Sequence, residues 1–310
     1  VVRAWALAFA AAGVLWAGAA RGERVVVLGD SLSAEYAWMP DYGLETVEGW
    51  RARSWVEILA ELRPDRFAFG AYRELPSVWD PWRAHGFKRN WAFPGAEAED
   101  IENRVLDPFD PFRLLLGPEL DRQIAAVDCV VIFLGANDFR EVYGGLYDGA
   151  DAAPLIAEVE RSVTRLLDHV LAVHPRARVV VVNVPDPGAS PSKAAAHPGA
   201  EGRARVTAAI REVNRRLYRA AALRGVAWAN VYRETKRLMR GDVFRWGSVE
   251  FRNAADPDND PLALFARDGL HPNTALQARN AQAVIDALNL RYGAGIPRLT
   301  DAEVLGLLGL

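Results

Sequence analysis

The chain has 310 residues, 51% of them hydrophobic and 25% charged, with a formal net charge of −3 at pH 7. That length supports one large core or two modest ones. The faintly acidic balance lacks the basic stripe that a nucleic-acid partner favours. One cysteine, Cys129, excludes an intrachain disulfide and cysteine-based metal sites; inside the run "CVVIFLG" it reads as a small buried hydrophobe.

In chain order, Arg3 precedes an apolar run from Ala4 to Ala20, and Ala17-Gly18-Ala19 fits a small-x-small cleavage site. Residues 1–20 therefore read as a secretory signal peptide. Residues 21–310 are expected to form a single domain, secreted or periplasmic, without stable membrane association once the leader is removed. Val25–Leu28 is the first strand and runs straight into Gly29-Asp30-Ser31. Residues 54–62 have helical spacing at Trp55, Ile58, Leu59 and Leu62. The continuous apolar run 129–135 is a strand covered on both faces. Residues 154–173 carry one apolar stripe of an amphipathic helix. A buried strand follows at 177–184, a helix at 202–223, a strand at 226–231 and a last long helix at 274–289, with Thr274 and Gln277 spaced for a capping box. The stretches 33–95 (rich in aromatics), 139–153, 185–202 and 241–263 read as largely irregular insertions.

Alternating strands and helices argue for a parallel sheet with helices on both faces. Ligands in such folds sit beyond the C-terminal ends of the strands. Gly29-Asp30-Ser31 and Gly135-Ala136-Asn137-Asp138 both fall there.

A hydrolytic serine needs a base, a group that orients the base, and donors for an oxyanion. Of five histidines, His169 and His174 belong to a long amphipathic helix, and His85 and His197 lie in irregular stretches. His271, in "RDGLHPN", stands three residues after Asp268, a spacing that lets the carboxylate fold back on the imidazole. Asn137 offers a side-chain amide, Gly95 in "NWAFPGA" a backbone N–H with room for substrate, and Ser31 its own N–H. Each tetrapeptide taken singly is equally an ordinary turn.

Taken in order, Gly-Asp-Ser-Leu, then Asn90-x-Ala92-x-x-Gly95, then Gly-x-Asn-Asp, then Asp-x-x-His before the last helix closely resemble the SGNH, or GDSL, hydrolase family. The resemblance implies a flavodoxin-like three-layer α/β/α sandwich around a central parallel sheet, here with loop insertions. It implies Ser31 as nucleophile, His271 as base, Asp268 as its orienting acid, and the Ser31 N–H, Gly95 N–H and Asn137 side chain as oxyanion hole. Asp30 and Asp138 are expected to support the site. Such an enzyme needs no metal and no cofactor, and a neutral histidine base makes activity fall below about pH 6–7.

Other motifs fail. There is no Gly-x-Ser-x-Gly elbow and no phosphate-binding glycine loop. "SPSK" (190–193) matches Ser-x-x-Lys, but its proline-rich setting reads as a loop. "DPDND" (256–260) starts like a calcium loop but has Pro261 and Arg267 where Gly and Glu are needed. The expected substrate is a small-molecule or glycan ester, with a small acyl group and Trp79, Trp82 and Trp91 as possible sugar-stacking surfaces. Longer acyl chains, acyl transfer to an acceptor hydroxyl, and a non-catalytic binding role on the same fold stay open as alternatives.

Overall fold

The computed structural model describes residues 22–38, 52–73, 85–255 and 260–310. The leader-like residues 1–20, Trp50, Trp79, Trp82 and most of "DPDND" lie outside them. The elements are β1 (Glu23–Gly29), α1 (Trp55–Leu62), β2 (Phe67–Ala68), β3 (Tyr72–Arg73), β4 (Gly86–Phe87), β5 (Asn90–Ala92), α2 (Ala98–Leu106), α3 (Pro111–Ala126) and β6 (Cys129–Phe133). They continue with α4 (Ala136–Glu141), α5 (Tyr143–Asp148), α6 (Ala153–Val173), β7 (Arg178–Val182), α7 (Pro191–Ala196), α8 (Ala200–Leu223), β8 (Ala227–Ala229) and α9 (Tyr232–Met239). The last are β9 (Phe244–Trp246), β10 (Val249–Ala255), β11 (Ala263–Phe265), α10 (Thr274–Tyr292) and α11 (Asp301–Leu307).

The main sheet runs β2-β1-β6-β7-β8, with β5 also paired to β1, and every pairing in it is parallel. Because successive side chains point to opposite faces, β1 feeds two cores. Val25 and Val27 pack with α1 and α10, while Val26 and Leu28 pack with α2, α3, α6 and α8. This is the parallel sheet with helices on both faces that the strand–helix alternation implies, and the three-layer α/β/α sandwich that the family resemblance implies. The chain leaves β1 toward β5 on one side, and β6 lies on the other, so β1 and β6 flank a topological switch point, where a ligand crevice opens. Register fixes its level: Gly29 is opposite Ala92 of β5 and also opposite Phe133 of β6.

Several stretches read as irregular are ordered. Residues 139–153 hold the end of α4, then α5 and the start of α6. "SPSK" is not a loop: Ser190 caps α7, its hydroxyl accepting from the Lys193 N–H, and Pro191 sits in the first turn, where its missing N–H costs nothing. The cap of α10 is also shifted. Asn273, not Thr274, is the N-cap, and its side-chain Oδ1 accepts from the Thr274 N–H at 2.7 Å. Trp91 is buried on β5, its indole N–H donating to Gln123 at 2.9 Å, so it is no sugar-stacking surface. Cys129 is a buried member of β6, and burial pushes its thiol well above the usual range. Among the described residues no helix is long and apolar enough to cross a membrane.

Candidate active site

Ser31 follows β1 by two residues, on a tight turn built by its neighbour. The Asp30 carbonyl accepts from the N–H groups of Ser33 (3.0 Å) and Ala34 (3.1 Å), and its Oδ1 accepts from the Leu32 N–H at 2.8 Å. Gly29 permits the turn: a Cβ there would lie 2.8 Å from both Cβ and Oγ of Ser33. Ser33 is anchored in turn. Its hydroxyl accepts from the Trp55 indole at 3.0 Å and its carbonyl from the Asn90 side chain at 2.8 Å.

His271 arrives from the loop before α10 and is 2% exposed. Its Nε2 lies 2.9 Å from Ser31 Oγ, and its Nδ1 lies 2.5 Å from Asp268 Oδ2. With Nδ1–H donated to the carboxylate, Nε2 is left to accept the serine proton. Asp268 Oδ1 accepts from the N–H groups of Leu270 (2.9 Å) and His271 (3.0 Å). Burial pushes the Asp268 carboxyl up, but the bond to His271 and these two backbone donors outweigh it and hold the group below its ordinary range. The aspartate therefore stays an anion beside the imidazole.

Asn137 lies in the first turn of α4, at the exit of β6, and its Nδ2 donates to the Ala96 carbonyl at 2.9 Å. That bond draws the Gly95–Ala96 turn toward the end of β6. Gly95 has φ +81°, a conformation that disfavours side chains, and a Cβ there would meet nothing within 4 Å, so its surroundings are open. Neither the Ser31 N–H nor the Gly95 N–H donates to an acceptor among the described residues. Ser31, Asn137 and His271 line one pocket, with mostly apolar walls from residues such as Leu32, Pro185, Phe265, Leu270 and Leu276. Gly95 lies outside that lining.

Asp30 and Asp138 are both buried. Burial pushes each carboxyl up to about 7, and the Asp138 charge adds to the effect on Asp30. Both Asp138 oxygens accept from the Ala98 N–H, at 3.2 and 3.1 Å, so this residue holds the start of α2 against α4.

Two residues without a motif signal complete the frame. The Tyr36 hydroxyl donates to the Pro272 carbonyl at 3.0 Å. The Gln277 amide donates to that hydroxyl at 2.6 Å and to the Leu32 carbonyl at 3.1 Å. Tyr36 also meets the His271 ring edge-on, with centroids 6.4 Å apart. The turn that carries Ser31 and the loop that carries His271 are thus clamped by one buried network. The other histidines serve elsewhere: His169 bridges to Asp121 of α3 at 2.9 Å, rather than facing solvent, and His174 to the Val127 carbonyl at 3.1 Å. Among the described residues no group of histidine, cysteine, aspartate and glutamate side chains could hold a metal ion.

Comparison with known proteins bears on the family and the fold. Residues 27–279 match the model of the GDSL-like Lipase/Acylhydrolase family. No curated protein matches the chain in sequence. Among solved structures, the lipase Lip_vut3 from a goat rumen metagenome superposes with a TM-score of 0.51 at 14% identity, covering 86% of this chain and 97% of its own. An extracellular lipase from Streptomyces rimosus gives 0.50 at 18% identity, covering 86% of this chain and 100% of its own. At such identities the likeness speaks for the fold. The chain belongs to the GDSL-like lipase/acylhydrolase family, whose SGNH-type members are carboxylic ester hydrolases.

Proposed function

We propose that the protein is a serine esterase working through an acyl-enzyme on Ser31. The observation that carries this reading is the continuous chain Ser31 Oγ, His271 Nε2, His271 Nδ1, Asp268 Oδ2, with links of 2.9 and 2.5 Å. In this reading His271 takes the serine proton as Oγ attacks the ester carbonyl. Asp268 keeps the imidazole in the required tautomer and balances the imidazolium. The Ser31 and Gly95 N–H groups and the Asn137 amide receive the oxyanion. His271 then protonates the departing alcohol, and water, deprotonated by the same imidazole, releases the acid and restores Ser31.

The acyl group occupies the apolar pocket beside Ser31. A short acyl group is the substrate proposed here. The case for a sugar alcohol is weaker, because Trp91 is buried and Trp79 and Trp82 lie outside the described residues. The apolar walls favour a second reading, a longer acyl chain. Hydrolysis of para-nitrophenyl esters from acetyl to palmitoyl separates the two: a maximum at short chains supports the first, a maximum at long chains the second. Ser31→Ala is inactive on all of them if the acyl-enzyme reading holds, and full activity of that variant refutes it. The leader-like composition of residues 1–20 supports a place outside the cytoplasm, with 21–310 as one catalytic domain.

A further inference from the structure

Arg140 stands three residues after Asn137 on α4, so the two share a helix face. Both line the pocket that holds Ser31 and His271. Arg140 is the one arginine or lysine on that lining among the described residues. Its side chain is only 24% exposed. Yet its guanidinium has a single partner, the exposed neighbouring carboxylate of Glu141, to which one Nη donates. A guanidinium offers five N–H donors in a planar fork. Four of them have no acceptor among the described residues.

Among the described residues no other side chain on that wall accepts a hydrogen bond from this guanidinium. Asp186 is the carboxylate on the lining, and its two oxygens are already engaged, by the Gly188 N–H at 2.9 Å and the Thr207 hydroxyl at 2.6 Å. Lys193 adds a second positive charge nearby, its ammonium donating to the Arg140 carbonyl at 3.0 Å. Asp30, Glu97 and Glu141 are the acids whose charge reaches Arg140 from outside the pocket lining. A cation so placed, with four donors that meet no acceptor among the described residues and on the lining of a mostly apolar cleft, suits a bidentate anion.

We propose that Arg140 binds an anionic group, a carboxylate or phosphate, carried by the ester substrate within a few bonds of the scissile carbonyl. This rests on the reading of Ser31 as nucleophile and narrows the substrate to charged esters.

The test is a ratio of kcat/KM values for matched charged and neutral esters. On the acyl side the pair is para-nitrophenyl hemiglutarate and para-nitrophenyl butyrate. On the alcohol side it is butyrylglycerol phosphate and butyrylglycerol. The native enzyme is expected to favour the charged member of at least one pair by about tenfold at low ionic strength, and that preference shrinks as salt is raised. Arg140→Gln brings the ratio close to one, Arg140→Lys keeps part of it, and Glu141→Gln raises it by removing the competing carboxylate. Should Arg140→Gln fail to fold, Glu141→Gln and the salt series carry the test. A native ratio at or below one for both pairs overturns the proposal, and so does a ratio that Arg140→Gln or Glu141→Gln leaves unchanged. Hydrolysis of the neutral esters reports on Ser31 independently, so the two failures are distinguishable.

Discussion

Ser31 Oγ and His271 Nε2 lie 2.9 Å apart although 240 positions separate them in the chain. Two structural devices close that distance. The parallel sheet delivers Ser31 to its C-terminal edge, and the Tyr36–Gln277 network ties the turn after Ser31 to the loop and helix that carry His271.

Tyr36→Phe tests that clamp. The substitution removes the donor to Pro272 and one acceptor of Gln277, both buried. It is expected to cost about 1–3 kcal/mol of stability and to lower kcat about tenfold with KM little changed, because misplacement of the base acts on the chemical step. Denaturant unfolding and steady-state kinetics measure the two effects. A raised KM with kcat intact would place Tyr36 in substrate binding instead.

Asp268→Asn removes the anion that holds His271 in its Nδ1–H form. The imidazole can then present N–H toward Ser31, which leaves the serine without a base. A fall in kcat of about 10²- to 10⁴-fold is expected, with a circular dichroism spectrum like that of the native protein. Retained activity would mean that Asp268 acts only as a turn former, through its bonds to the Leu270 and His271 N–H groups.

Asn137→Ala should lower kcat by about 10²- to 10³-fold, the usual cost of one oxyanion donor. It also frees the Ala96 carbonyl, so a loss of stability accompanies it. Asn137→Asp separates the effects on the oxyanion by charge: a carboxylate there repels the developing negative charge, and its deficit should deepen as pH rises. An Asn137→Ala variant that keeps the native kcat while losing stability would argue that Asn137 serves the Ala96 bond alone.

Asp30 and Asp138 give stability a pH dependence of unusual sign. An aspartate in the unfolded chain has a pKa of about 3.9, whereas burial raises both folded values to about 7. Between these limits the folded state binds more protons than the unfolded one, so the contribution of each group is full below about pH 4 and is lost as pH rises toward 7. Asp30→Asn deletes one titration while keeping the acceptor for the Leu32 N–H. The stability difference between Asp30→Asn and the native protein should therefore move in favour of the variant between pH 4 and 7, by at most about 1.4 kcal/mol per pH unit. A difference that stays flat across this range would mean that Asp30 is ionised throughout. Below about pH 4 the opposite trend enters from Glu303, which its hydrogen bonds from Arg63 hold down at about 2 and which loses its contribution as it protonates.

How much of this was legible in the sequence depends on whether the signal is local. β1, β6 and β7 read directly, because strands buried on both faces are continuous apolar runs. The four motif blocks read because each closes a strand or precedes a helix. By contrast α3 carries Gly117-Pro118 at its middle and exposes Leu114 and Leu115, so no apolar stripe announces it. β5 is three residues long and holds its place by pairing with β1, a contact that no window of sequence contains. The spacing of Thr274 and Gln277 suggested a capping box, but Thr274 Oγ1 accepts from the Arg53 N–H at 2.9 Å and Gln277 turns inward to Leu32. Nothing local marks the anchoring of Ser33, because its donor, Trp55, is 22 positions away. Tyr36 was hidden for the same reason on a larger scale, since its partners come from the other end of the chain.

The most direct test of the central claim is covalent labelling with a fluorophosphonate, read by mass spectrometry of the digested protein. The account predicts one phosphonyl adduct, on Ser31, formed in step with loss of esterase activity, absent from Ser31→Ala and strongly slowed in His271→Ala. An enzyme that hydrolyses esters while its label appears on another residue, or while Ser31 stays unlabelled, would contradict it.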